Sequence, residues 1–128
     1  MVKVGINMDL AIIFGSALAF LAVACGAFGA HALKDKFSAQ KYADNWETAC
    51  RYMMYHALGL LAIGMIGFEV GTSGALTTAM WCMFIGTIIF SGSLMILSLT
   101  GLKKLGAITP IGGVLQLVAW MCVLVSVL

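Results

Sequence analysis

Charge is absent from most of this chain, and that absence restricts its fold more than any other feature. Leu10 to Ala30 is a run of 21 residues without a charged side chain, and Tyr52 to Phe68 is 17 residues in which His56 is the one ionisable group of consequence. Neither Val70 to Leu102 nor Leu105 to Leu128 contains any charge. A helix needs about 20 apolar residues to cross about 30 Å of hydrocarbon, so runs of this length are spans and not core helices. Backbone N–H and C=O groups find no water in lipid, which requires each span to be helical. The composition agrees: 62% of residues are hydrophobic and 9% charged, where a soluble domain carries about a quarter charged residues.

These runs predict an all-α fold, a four-transmembrane-helix bundle forming one integral membrane domain over residues 1–128, with spans at about 10–30, 52–70, 76–99 and 110–128. The first span resembles a signal peptide superficially, but its apolar stretch is longer than the usual signal core and predicts an uncleaved helix. The one polar stretch of any length, Lys34 to Arg51, is too short for a core of its own. Ser38 is a candidate N-cap there, Glu47 and Arg51 stand at i, i+4, and Phe37, Tyr42 and Trp46 suit the headgroup level. A short amphipathic interfacial helix is therefore expected between spans one and two, running or kinking into span two. Thr109-Pro110 predicts an N-cap followed by proline at the first position of span four, with Leu105 to Ile108 as an apolar connection covered by protein.

Small residues mark the packing faces. Gly15, Ala19, Ala22, Gly26 and Ala30 recur every three or four positions on one stripe of the first helix, and Gly59 and Gly67 repeat the device in the second. Met83, Thr87, Ser91, Leu94 and Ser98 form a mildly polar stripe on the third that should face inward. The nine methionines are scattered and suit core filling better than metal binding. Cys25, Cys50, Cys82 and Cys122 form no Cys-x-x-Cys pair and read as small hydrophobes.

No nucleotide loop, Ser/His/Asp pattern, paired intramembrane carboxylates or metal-ligand spacing is present, so no catalytic residue, metal, cofactor or nucleic-acid partner is expected. The candidates that remain are polar groups at one membrane level. His31 ends span one, Arg51, Tyr55 and His56 begin span two, and Thr109 begins span four. Helix N-termini favour anions, which makes this a candidate polar or anion-binding cluster for a lipid headgroup or a carboxylate. Two readings of His56 stand side by side. An ionisable group inside a span is a functional candidate by default, and a neutral imidazole bonded to a carbonyl is helix glue. Gln116 reads as structural hydrogen bonding.

Four motifs in order carry a resemblance: Gly26-Ala-Phe-Gly-Ala-His31-Ala-Leu; Trp46 and Ala49 before Tyr52-Met-Met-Tyr55-His56; Phe90-Ser-Gly-Ser-Leu; and Leu105-Gly-Ala-Ile-Thr-Pro-Ile-Gly-Gly113, followed by Trp120. With them the chain resembles, over nearly its whole length, the uncharacterised family of small bacterial membrane proteins represented by YgdD and YwdK, which has animal relatives. The resemblance implies four transmembrane helices and no particular reaction. It also implies a glutamine where this chain has Met53 and an aromatic where it has Met95.

The leading expectation is a multi-pass, non-enzymatic accessory or lipid- or anion-interacting component of the cell membrane. Membrane lipid is the expected partner, with a homo-oligomer or a second membrane protein as the other. The rivals are a small homo-oligomeric transporter or channel using Thr87, Ser91 and Ser98, and a membrane enzyme using His31 and His56. Lys34, Lys36, Lys41 and Arg51 lie in the first connection and Lys103 and Lys104 in the third, against Lys3 alone on the other side. The positive-inside rule then puts both termini outside the cytoplasm. A C-terminal reporter active only in the cytoplasm should give no signal; a strong signal would reverse the topology.

Overall fold

The computed structural model describes residues 6–128, with side chains from Met8 onward, so Lys3 lies outside the described residues. Four helices follow one another: α1 (Ile6–Ala30), α2 (Gln40–Val70), α3 (Gly74–Thr100) and α4 (Thr109–Ser126). Among the described residues there is no strand, and all four helices are long and apolar enough to cross a membrane. The three-residue link between α2 and α3 forces antiparallel neighbours. Gly71 makes that turn at φ 86° with its N–H on the Gly67 carbonyl, and the Ser73 hydroxyl caps α3 by accepting the Leu76 N–H. Gly101 ends α3 in the left-handed conformation, at φ 71°.

The expected separate interfacial helix is not formed. α2 is one helix of 31 residues, about 46 Å at 1.5 Å per residue, so its charged first third extends beyond the hydrocarbon. Nothing interrupts it, because no proline or glycine occurs between Ala39 and Leu58. Trp46, Ala49 and Cys50 are also buried, which anchors the extension to the bundle. The helix begins after Ala39, and Ser38 does not cap it.

The start of α4 shifts by one residue from the sequence expectation. A 3-10 turn over Lys103–Ala107 runs directly into it, leaving Ile108 at the cap and Thr109 already helical. That turn pairs Leu105 N–H with Leu102 C=O and Ile108 N–H with Leu105 C=O. The connection is largely exposed, and its backbone is satisfied locally instead of being covered by protein.

α2 and α3 form the centre. α1 packs on α2, α4 packs on α3, and α1 and α4 lie on opposite flanks. Core residues come from Met8, Ala11, Leu18 and Ala22 of α1, Met53, Ala57, Leu60 and Ile63 of α2, and Leu76, Ala79, Met80 and Met83 of α3, with Ala119 alone from α4. Phe14 of α1 reaches α3, stacking on Phe84 with centroids 3.9 Å apart. The polar stripe of α3 points inward as its period requires, with Thr87, Ser91 and Ser98 all buried.

Close approach is concentrated where side chains are missing. A Cβ on Gly86 would lie 2.9 Å from the Gly112 carbonyl, and one on Gly112 would strike the Phe90 backbone, so α3 and α4 meet backbone to backbone. Gly15 plays this part between α1 and α2, 2.8 Å from the Ala57 carbonyl, while Gly59 receives Met83 and Trp120 and Gly67 receives Met8. Ala22 is buried and Ala19 half-buried in the same stripe. Gly26 departs from the expectation: a Cβ there meets nothing within 4 Å. Gly29 makes the contact instead, since the Trp46 indole occupies the space where a Cβ would lie and donates Nε1–H to the Cys25 carbonyl at 2.9 Å. Gly86→Leu should therefore cost about 2 kcal/mol or more and lower the melting temperature in detergent, whereas Gly26→Leu should leave it unchanged. Equal melting of the two variants would show that backbone contact between α3 and α4 does not hold the bundle.

Candidate functional site

α2 and α4 enter from the same end, so Tyr52 and Tyr55 stand at the level of Pro110, with His56 deeper. They approach each other through side chains: the His56 and Trp120 rings lie 5.9 Å apart, and Trp120 also fills the space beside Gly59. Between the two helices, above α3, is a groove of about 520 Å³. Tyr52, Tyr55 and His56 form one wall, Pro110, Val114, Leu117 and Trp120 the other, and Phe90 and Gln116 close the base. Tyr52 and Phe90 lie against each other with centroids 5.0 Å apart.

His56 is 5% exposed, and its Nδ1 lies 2.7 Å from the Tyr52 carbonyl. A carbonyl can only accept, so the Nδ1 position carries the proton, and in the neutral ring Nε2 is left as an acceptor. No hydrogen bond to Nε2 is formed among the described residues. Among the described residues no fully enclosed side-chain nitrogen or oxygen lacks a partner, so Nε2 reaches the surface of the groove. The other buried polar groups bond to backbone carbonyls or to one another. Ser91 donates to the Ala49 carbonyl at 2.8 Å, Ser98 to the Leu94 carbonyl at 2.8 Å, and Gln116 Nε2 to the Thr87 hydroxyl at 3.3 Å.

The structure divides the cluster expected from sequence. Tyr55 and His56 share the groove. Arg51 lies outside it, its guanidinium 3.1 Å from the Glu47 carboxylate, and both side chains are exposed. His31 is exposed in the turn after α1 and lines neither cavity. Thr109 turns away from the groove, sharing a 2.6 Å hydroxyl–hydroxyl hydrogen bond with Ser93 and donating to the Leu105 carbonyl at 3.1 Å. A single pocket joining His31, Arg51 and His56 does not form. Residues separated by five along a helix point about 140° apart, and both Arg51 and His56 belong to α2.

A second cavity, of about 590 Å³, lies between the end of α1 and the start of α2, where Gly26, Lys34, Asp35, Gln40 and Glu47 line it with Trp46. It is open and mixed in charge, and the Trp46 N–H beside it is already committed to Cys25. No group of three or more His, Cys, Asp or Glu side chains able to hold a metal occurs among the described residues.

Sequence reasoning singled out His56 and Tyr55 and missed the aromatic walls. Tyr52, Phe90 and Trp120 each occur in the motifs quoted above, but nothing in their spacing says that α4 turns Trp120 toward α2. Among the described residues Arg51 is bound only to the exposed Glu47, so Arg51→Ala should shift unfolding by less than about 0.5 kcal/mol. A larger loss in thermal melting would give Arg51 a partner beyond Glu47.

Residues 25–113 match the family model described as a protein of unknown function, DUF423. The UPF0382 membrane protein YwdK of Bacillus subtilis is 47% identical over 119 residues, covering 93% of this chain and 96% of its own. A UPF0382 membrane protein of Staphylococcus epidermidis is 50% identical, with 94% and 97% covered, and one of Staphylococcus saprophyticus is 51% identical, with 93% and 97% covered. No solved structure matches the chain.

Proposed function

This chain belongs to the DUF423 family, whose UPF0382 relatives are named as membrane proteins with no reaction attached, and from its own geometry we propose that it is a non-enzymatic, lipid-interacting component of the cell membrane. The observation that carries this reading is the open groove between α2 and α4, lined by a buried histidine whose second ring nitrogen has no partner among the described residues. Apolar walls with a few fixed polar groups are the usual makeup of a ligand site. A polar atom at hydrocarbon depth is costly unless something meets it, which gives a bound amphiphile a reason to stay.

The rival readings draw less support. Transport through one protomer would need a polar path, and Thr87, Ser91 and Ser98 are engaged by neighbouring protein groups. A shared histidine centre would need His31 near His56, and His31 is exposed beyond the end of α1. Lys34, Lys36, Lys41 and Arg51 gather at the same end as Lys103 and Lys104, which supports placing that end in the cytoplasm and both termini outside.

Val114 lines the groove and is 57% exposed, so a larger side chain there fills the groove without entering the core. Val114→Trp should abolish lipid retained through detergent purification, read by native mass spectrometry, at unchanged melting temperature. Retention equal to that of the unaltered chain would refute lipid binding in this groove.

A further inference from the structure

The groove also limits the chemistry of its occupant, an inference that rests on the lipid-binding role proposed above. We propose that it takes an uncharged amphiphile whose head is a hydroxyl-bearing planar ring, a phenol-like lipid, with His56 Nε2 accepting the hydrogen bond from its hydroxyl. The first reason is the acceptor. The Tyr52 carbonyl occupies Nδ1–H, and the neutral imidazole then presents only a lone pair to the groove, on a residue 95% enclosed. A ligand that itself only accepts hydrogen bonds would leave that lone pair unmet.

The second reason is charge. None of the side chains lining the groove is Lys, Arg, Asp or Glu. The nearest arginine along α2, Arg51, lies outside the groove and is paired with Glu47. A phosphate or carboxylate drawn in beside His56 would leave the headgroup region with no opposite charge to meet it, at a desolvation cost that a single imidazole does not offset. An un-ionised phenol, whose pKa near 10 is that of a tyrosine side chain, avoids this cost.

The third reason is shape. Tyr52 and Trp120 are only 38% and 43% exposed, and each already leans on another ring, Tyr52 on Phe90 and Trp120 on His56. A planar head between them gains ring contacts at centroid distances of about 4.5–7 Å, which an acyl chain or a glycerol does not provide. At about 520 Å³ and open on one side, the groove has room for a ring and the first few methylenes, with the rest of the tail outside it.

The test is Trp120 fluorescence quenching by tail-brominated probes, with the chain in phosphatidylcholine nanodiscs. The probes are a 4-alkylphenol, its methyl ether, a diacylglycerol and a phosphatidic acid, and the Trp120 signal is the part of the quenching lost in Trp120→Phe. The phenol should quench Trp120 at a mole fraction at least about fivefold below that of the ether, as one hydrogen bond implies. His56→Phe should bring the phenol to the level of the ether; if that variant does not fold, the phenol–ether ratio on the unaltered chain decides. Equal quenching by phenol and ether would overturn hydroxyl recognition while leaving lipid binding in place. Diacylglycerol as effective as the phenol would overturn the ring, and phosphatidic acid above both would show a cationic imidazole and an anion site. Quenching of Trp120 by none of the four would remove the lipid-binding role itself.

Discussion

Close contact between helix backbones holds this protein together, because its side chains gain little by exchanging lipid for one another. In water, burying a leucine stabilises a fold; in hydrocarbon, the same leucine is already among apolar neighbours. What distinguishes the folded bundle is dispersion from tight packing and the few hydrogen bonds that cross between helices. Gly86 against Gly112 and Gly15 against Ala57 supply the first. Trp46 to the Cys25 carbonyl and Ser91 to the Ala49 carbonyl supply the second. The large residues left facing outward, such as Phe20 at 73% exposure and Leu117 at 72%, carry no penalty in that solvent.

The distribution of these contacts accounts for the groove. α3 offers close approach to α4 at Gly86, while α2 has no such position toward α4, because its Gly59 is occupied by Met83 and Trp120. α4 therefore seats on α3, and its Trp120 ring reaches α2 beside Gly59 and His56. The wedge left between α2 and α4 is the groove, and His56 lines it from the same α2 face as Ala49 and Met53, at the edge where α4 diverges. Packing has in this way separated one polar group from the rest, which are satisfied inside the bundle.

Much of this architecture was legible in the residues, and the division between what was and what was not has a physical cause. Span lengths and the inward stripe of α3 follow from apolar run length and a 3.6-residue period, both local properties. The extension of α2 was misjudged because Phe37, Tyr42 and Trp46 have the composition of a headgroup-level segment; Trp46 is in fact buried on α1, a fact set by Gly29 on another helix. The candidate site shows the limit most clearly. Position along a span places Tyr55, His56 and the start of α4 toward one end of the bundle, and Tyr55, His56 and Pro110 do line one groove. Azimuth about the helix axis depends on tertiary packing, and that is what parts Arg51 from His56 and turns Thr109 toward Ser93.

The contrast between His56 and Gln116 carries the functional argument one step further. Both are polar, nearly fully buried and located on helices that border the same groove. Gln116 donates to Thr87 on α3, the helix against which α4 is pressed, so its amide nitrogen holds two elements together and leaving it unpaired would loosen their contact. Among the described residues His56 hydrogen-bonds only to its own helix, four residues back, and its contact across to α4 is the ring of Trp120. Replacing it with a flat apolar ring would remove no bond between helices. An imidazole held by its own backbone, with its remaining nitrogen left without a partner among the described residues, is the feature on which the proposed ligand-binding role rests.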